Sequence, residues 1–536
     1  MIRLDDLRMG ARFCRRLPRY LRAPLTLATA GRMLRHRLAR REDAFLGLVK
    51  QAIYLNDTSP YRELLRLAGC EYGDVERLVR QAGVEGALHA LLRHGVYLSV
   101  SEFKGRQPVV RGRTELHVSP ERLRNPLSES HVSVRTSGSR GAGTPVPIDL
   151  AFVRDCAADT LLALDARGAG ACAKAHWQVP GGGAIARLVE YSSFGAPAAR
   201  WFSQIDPGDP MLHPRYRWSA RLMRWTSQLA GVPLPRPEHV PLDDPRPILT
   251  WMTESLRAGA RPHLFSFTSS AVALCQAASR AGIDLTGAYL TVVGEPVTAT
   301  RMNVMRRLGA EVAVRYAIIE CSSIGHGCLS PEAADEVHFL SDLHALVRPG
   351  PGVTVAGVPP RGLLLSSLRL AAPFVLLNVS MGDEAEVTER SCGCPLARLG
   401  WGTHLHTIRS REKLTAGGMT FLDTDVVRVL EEELPARFGG GPTDYQLVED
   451  EGTDGRPRLR LLAHPALGAL DEARVVDAFL TAVGRRGGAE EVMARMWHDA
   501  GFLKLDRRPP YATPSGKILH LHVRRATQQG AAAPVQ

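Results

Sequence analysis

Apolar residues recur at intervals of three and four in DAFLGLVKQAIYL (43–55) and again in EGALHALLRHGVYL (85–98), separated by a breaker at Gly83. That period puts them on one helix face, so residues 1–100 read as a helical segment packed on a larger body. From about 130 to 380 the pattern changes. Short runs rich in β-branched and aromatic residues, HLFSF (263–267), AYLTVVG (288–294) and EVAVRY (311–316), alternate with the helical stretches SSAVALCQAASRAG (269–282) and TATRMNVMRRLG (298–309). A strand-then-helix rhythm of this kind predicts an α/β sheet with parallel order. Residues 195–245, rich in Trp, Arg and Pro with Trp201, Trp218 and Trp225, read as structural packing first, with a lid or one wall of a substrate cavity as the alternative.

After residue 410 the order becomes helix (DTDVVRVLEEEL), strand (DYQLVED), turn (GTDGRP), strand (RLRLLA), two helices and a last strand (KILHLHV). This predicts a small α+β domain over 411–536, following a larger α/β body over 101–410. The tail TQQGAAAPVQ has nothing to bury and reads as disordered.

At 536 residues with 45% hydrophobic content, the chain holds material for two cores. The closest approach to a membrane span, LLLSSLRLAAPFVLLNV (363–379), is interrupted by Arg369 and Pro373. Nine cysteines, an odd number without a leader pattern, argue for reduced thiols and a cytoplasmic protein. The net charge of +12 owes much to arginines in the first forty residues, as in RFCRRLPRYLR. No nucleic-acid recognition module accompanies that charge, so no nucleic-acid partner is expected; weak membrane-surface contact by this basic start fits the pattern as well.

Residues 136–145, TSGSRGAGTP, lie between the alternating HVSVR and VPIDL. Gly138 and Gly143 have Walker A spacing, but Thr144 stands where the lysine belongs and Pro145 has no N–H to donate. A dinucleotide fingerprint fails because Val146 occupies the third glycine position. What remains is a nest of N–H groups and hydroxyls from Thr136, Ser137, Ser139 and Thr144, with Gly138, Gly141 and Gly143 for close approach and Arg140 as a cation.

Four further stretches follow in a fixed order: VVGEPVT (292–298), RYAIIE (315–320), LNVSMGDEAEV (377–387) and PSGKI (514–518). With the hydroxyl-rich loop, this series resembles the adenylate-forming superfamily, and within it the phenylacetate–CoA ligase branch. The resemblance implies a large adenylation domain of mixed and parallel sheets with helices, and a small mobile C-terminal α+β domain. It implies ATP-dependent activation of an aryl or fatty carboxylic acid, with Mg²⁺ as cofactor, and transfer of the acyl group to CoA. A carrier-protein thiol, a protein cysteine or an amine are alternative acceptors, and a catalytically inactive nucleotide-binding protein is the non-enzymatic alternative.

Carried over residue by residue, the resemblance gives Glu320 to Mg²⁺, Asp383 to the ribose hydroxyls, and Lys517 to the carboxylate and bridging oxygen. Arg409 goes to ribose or phosphate, and Gly294, Glu295, Pro296 and Tyr316 to the nucleotide wall. The chemistry suits the residue types: joining two anions requires neutralised charge, a hard cation prefers carboxylate oxygen, and an ionised aspartate only accepts. The chain departs from the pattern at Ala317, Ile318 and Ile319, where the family has a glycine and a hydroxyl before the glutamate, and at Arg140 and Arg411.

A second constellation is sulfur-based. Cys328 in GHGC, His338 at the start of VHFLSDLH, and Cys392 and Cys394 in SCGCP form a Cys₃His set suited to structural Zn²⁺, with Cys321 and His326 as rival ligands. Some relatives in that branch resemble this arrangement.

Overall fold

The computed structural model describes residues 4–135, 145–178, 182–195, 198–208, 214–350, 352–410, 415–416, 419–420, 425–451, 457–484, 503–513 and 516–524. The loop carrying Thr136, Ser137, Gly138, Ser139, Arg140, Gly141, Gly143 and Thr144 lies outside them, as does Arg411. Its flanks pair as an antiparallel hairpin, Val132–Arg135 against Pro145–Ile148.

The chain opens with helices α1 (Leu4–Leu21), α2 (Leu27–Ala39) and α3 (Tyr72–Arg93). α3 is broken at Gly83, whose φ of +70° no helix accommodates, and its second half buries Val84, Ala87, Leu88, Leu91 and Leu92. α4 (Leu150–Asp165) follows the hairpin and starts where the Asp149 carboxylate accepts from the Ala151 N–H. α5 is Gly182–Ser192 and α6 is Pro214–Leu229.

Twelve strands form one sheet: β1 (Ala173–Gln178), β2 (Arg200–Ser203), β3 (Pro237–His239), β4 (Pro262–Phe267), β5 (Tyr289–Val293), β6 (Glu311–Ile318), β7 (Ser322–Gly327), β8 (Val337–Phe339), β9 (His344–Val347), β10 (Gly362–Ser367), β11 (Val379–Glu389) and β12 (Thr403–Ser410). Their order is β9-β10-β11-β12-β8-β7-β6-β5-β4-β1-β2-β3. From β3 to β6 every neighbouring pair is parallel, with α7 (Thr268–Arg280) and α8 (Ala299–Arg306) among the crossovers. From β6 onward every pair is antiparallel.

The parallel order expected of the whole stretch therefore stops at β6. Only three residues separate Ile318 from Ser322, enough for a hairpin and far too few for a crossover. β4 and β5 are buried at every position, as a parallel strand covered on both faces must be. The 195–245 stretch supplies β2, α6 and β3, the edge of this half; Trp201 is buried there, whereas Trp218 and Trp225 stand exposed.

The C-terminal part builds a separate four-stranded sheet with its own apolar cluster, in which Val429, Leu447, Leu461, Phe479 and Leu521 are buried. The helix expected over 423–434 holds a π-turn, Val429–Glu433, whose extra residue re-aims Glu431. Leu503–Arg507 adds a strand to this sheet that its sequence did not announce.

Candidate active site

A cleft of about 160 Å³ opens at the carboxyl ends of β5 and β6, where open α/β sheets place their ligands. Gly294, Glu295 and Pro296 line it from the end of β5, Tyr316 and Glu320 from β6 and the turn after it, Asp383 from β11, Arg409 from β12, and Lys517 from the C-terminal part. Residues as far apart in sequence as Lys104 and Lys517 thus share one wall.

The local backbone explains how each side chain gets there. β6 and β7 slip register between Tyr316 and Ala317, a bulge that turns the Tyr316 side chain. Its hydroxyl donates to Asp383 Oδ2 at 2.9 Å. Burial, then the Asp383 carboxylate, raise the Tyr316 pKa well above its ordinary value, so the phenol stays a donor. Asp383 follows Gly382, whose φ of +84° a side-chain-bearing residue would resist.

Lys517 shows the other steric requirement. A Cβ on Gly294, at φ +81°, would sit 2.9 Å from Lys517 Nζ, so the absence of a side chain there is what lets the ammonium in. The lysine loop is closed by its own bonds, Thr513 N–H to Lys517 O at 2.8 Å and Gly516 N–H to Thr513 O at 2.7 Å. Ser269 fastens it to the larger body: its hydroxyl accepts from Ile518 N–H at 3.2 Å.

That hydroxyl also donates to Glu295 Oε1 at 2.9 Å, while the Ser269 N–H donates to Oε2 at 2.6 Å. Glu295 is fully buried, and burial raises its pKa against the pull of Arg301 and these bonds.

Glu320 is buried with Oε1 3.3 Å from Lys104 Nζ, yet that oxygen makes no hydrogen bond among the described residues. A buried carboxylate lining a cleft, ion-paired but without a hydrogen bond at Oε1, suits a hard cation. Arg409 is held from behind: its Nη1 lies 3.1 Å from Asp335 Oδ2, and Asp335 also accepts the N–H groups of Thr407 at 2.9 Å and Ile408 at 2.7 Å. Lys104, Asp335 and Ser269 carry no sequence signal that singles them out; only the assembled sheet brings them to the cleft.

No family model matches the chain, and no curated protein matches it. Solved structures do. A 2-hydroxyisobutyryl-CoA ligase in the postadenylation state, in complex with 2-HIB-AMP, is 16% identical, aligns over 92% of this chain and 91% of its own, and gives a TM-score of 0.50. An anthranilate CoA ligase in complex with anthranoyl-AMP is 12% identical over 78% of this chain and 69% of its own, at a TM-score of 0.44. The fold is that of the adenylate-forming enzymes.

On this adenylate-forming fold a second cluster lies at the far end of the antiparallel half-sheet. The Sγ atoms of Cys328, Cys392 and Cys394 and a ring nitrogen of His338 all fall within 4.8 Å of one another. His338 Nε2 is 3.2 Å from Cys394 Sγ and 3.6 Å from Cys392 Sγ, while Nδ1 is 2.7 Å from the Trp401 carbonyl. With Nδ1 donating to that carbonyl, Nε2 carries the free lone pair toward the sulfurs, which is the tautomer a ligand histidine needs.

Three sulfurs and one imidazole, nearly all buried, form a closed donor set of the structural Zn²⁺ type. Behind it the His404 ring lies tilted against His338, centroids 4.2 Å apart, and Glu336 Oε1 lies 2.6 Å from His404 Nδ1 and 2.5 Å from Arg390 Nη2. Cys321 and His326, the rival ligands, fall outside this cluster: His326 pairs across β6 with Arg315, and Cys321 closes the Glu320 turn.

Proposed function

We propose that the protein is an acid–thiol ligase that activates a carboxylic acid as its acyl-adenylate and passes the acyl group to CoA. The reading is supported above all by one observation. Lys517, from the C-terminal part, enters the same cleft as the Tyr316–Asp383 pair and the buried Glu320 carboxylate.

In the first step the substrate carboxylate oxygen attacks the α-phosphorus of ATP, the bond to the β-phosphate breaks, and pyrophosphate leaves. Lys517, a flexible point charge, neutralises the incoming carboxylate and the bridging oxygen as charge develops. Asp383, steadied by the Tyr316 hydroxyl, accepts both ribose hydroxyls. Arg409, oriented by Asp335, supplies a second cation at ribose or phosphate. Mg²⁺ held by Glu320 would supply charge neutralisation across the phosphate oxygens.

In the second step the thiol sulfur attacks the acyl carbon, its proton leaves, and AMP departs with the electron pair of the broken acyl–phosphate bond. The wall of Val314, Ala317, Ile318, Ile319 and Met381 favours an acid with an apolar body, aryl or fatty. Zn²⁺ on Cys328, His338, Cys392 and Cys394 has a structural role in this reading.

The test is pyrophosphate release from ATP and Mg²⁺ across a panel of aryl, aliphatic and amino acids, with and without CoA. Acid-dependent release and formation of an acyl-CoA support the proposal. Release without CoA consumption, with acylation of an added carrier protein, would move the acceptor to that carrier. No release with any acid would overturn the proposal.

A further inference from the structure

α6 is apolar on two faces. One, with Met223 and Ala230, is buried; the other presents Trp218 at 62% exposure, Leu222 at 38%, Trp225 at 60% and Leu229 at 58%. These four recur at intervals of four, three and four, which makes one continuous stripe along the helix. Isolated exposed apolar side chains are ordinary, but two tryptophans and two leucines on one face are not.

α1 packs on α6 and carries a stripe of the same spacing, made of arginines: Arg8, Arg12, Arg15 and Arg19, all exposed, with Arg22 one step further on. The two helices touch at both ends of the apolar stripe. Gly10 of α1 sits against Leu222 of α6, where an added Cβ would meet Leu222 Cδ2 at 3.8 Å. At the other end, Arg22 Nη2 donates to the Leu229 carbonyl at 3.0 Å. The buried face of α1, Phe13, Leu17, Tyr20 and Leu21, points the arginines away from the core.

We infer that α1 and α6 together form a docking surface for an anionic lipid bilayer. The apolar stripe would enter the headgroup boundary, where indole rings are favoured, and the arginines would meet the negative surface. Charge complementarity selects this occupant. Residues 8–22 hold six arginines, Arg8, Arg12, Arg15, Arg16, Arg19 and Arg22, all exposed, and no acidic residue or lysine. A second copy of the chain would bring the same arginines against themselves. A nucleic-acid duplex, with its bases stacked inside, would leave the tryptophan and leucine stripe without an apolar partner. None of these residues lines the cleft, so the inference stands apart from the proposed ligase activity.

The experiment is co-sedimentation of the full chain with phosphatidylglycerol-containing vesicles and with pure phosphatidylcholine vesicles, at low and raised salt. Binding to the anionic vesicles that weakens with salt is expected. The exposed Trp218→Ser, Trp225→Ser double variant should bind at least about tenfold more weakly while keeping its thermal midpoint, and Arg12→Glu, Arg15→Glu, Arg19→Glu should lose the preference for anionic lipid. Pyrophosphate release should be the same in both variants.

No binding of the wild-type chain to anionic vesicles would overturn the inference, as would full binding by the tryptophan variant. Sedimentation velocity showing a dimer that dissolves on Trp218→Ser would assign the face to a second copy. Retention on duplex DNA equal in wild type and tryptophan variant, without vesicle binding, would assign it to a nucleic acid.

Discussion

Lys517 reaches the cleft only because Gly294 has no side chain, and it arrives beside groups that all come from other elements. In the proposed ligase its ammonium acts on the charge that develops as phosphate is displaced, so Lys517→Ala should slow acid-dependent pyrophosphate release by ~10²-fold or more. Transfer from a supplied acyl-adenylate to CoA should change little, because that step breaks no bond to the β-phosphate. Assaying the two half-reactions separately checks this; equal loss of both would remove the lysine from its role. Asp383→Ala should raise the ATP concentration needed for half-maximal rate by about tenfold or more, since ribose hydroxyls would be buried without acceptors. Tyr316→Phe should have a smaller effect in the same direction, because it removes the 2.9 Å bond that steadies the carboxylate and leaves the acceptor in place. Calorimetric ATP binding unchanged by Asp383→Ala would contradict the ribose assignment.

At the level of strands and helices, the legible part of the sequence was the part with a repeating pattern. Parallel strands buried on both faces read as unbroken apolar runs, so β4, β5 and β6 stand out, and Tyr316, Asp383 and Lys517 each follow a short motif beside a glycine, a strand end or both. Asp335 and Lys104 had no such marker: each sits in an ordinary polar segment and enters the cleft through tertiary packing alone. The switch to antiparallel order after β6 was hidden because Ala317, Ile318 and Ile319 continue the apolar run into the turn.

The half-sheet after that switch has a direct mechanical reading. β7 starts beside Glu320 and ends at Cys328; β11 carries Asp383 and runs toward Cys392 and Cys394; β12 leaves Trp401, which accepts from His338, and ends at Arg409. Burial pushes the Cys328 thiol up to about 12, which keeps it neutral unless a cation draws off its proton. Because three sulfurs and an imidazole nitrogen nonetheless converge within 4.8 Å, purified protein should carry about one equivalent of zinc. Cys394→Ser should lower zinc content and thermal midpoint together, and activity through them. Metal analysis of freshly prepared, chelator-free protein checks the first point and a thermal melt the second. Full activity after zinc removal would leave the metal without a bearing on the cleft.

Across the whole molecule, the C-terminal part meets the larger body through polar groups. Glu431, turned by the π-bulge, lies 2.6 Å from Arg301 Nε and 2.5 Å from His520 Nε2, and all three are buried. Thr300 donates to Glu432 at 2.7 Å, and Thr443 to Gln276 Oε1 at 3.3 Å. Burial opposes the Glu431 charge, but Arg301 and the hydrogen bonds prevail and hold its pKa down to about 2. Burial and Arg301 lower the His520 pKa below its ordinary value, so the imidazole is neutral and donates to the glutamate.

The sign of the pH dependence follows. Both groups bind protons more readily in the unfolded or undocked chain, so the stability they contribute is complete above a pH of about 6.5. Acidification removes it, first as free His520 would take up its proton and then as free Glu431 would. The thermal midpoint should fall as pH drops below ~6.5, and Glu431→Gln should flatten the carboxylate part of that dependence at lower pH. A melt series from neutral to acid pH in both proteins checks it; identical slopes would remove Glu431 from the interface energetics.

The apolar cores on either side of this interface remain separate clusters. Parting the two bodies along that seam would expose carboxylates, a guanidinium, an imidazole and hydroxyls, all of which water solvates readily. Among the described residues, the contacts of Arg301 with Glu431, Thr300 with Glu432 and Thr443 with Gln276 are ones such a parting would break. If the proposed ligase opens along this seam in each cycle, it does so in a crowded solution with little added tendency to aggregate.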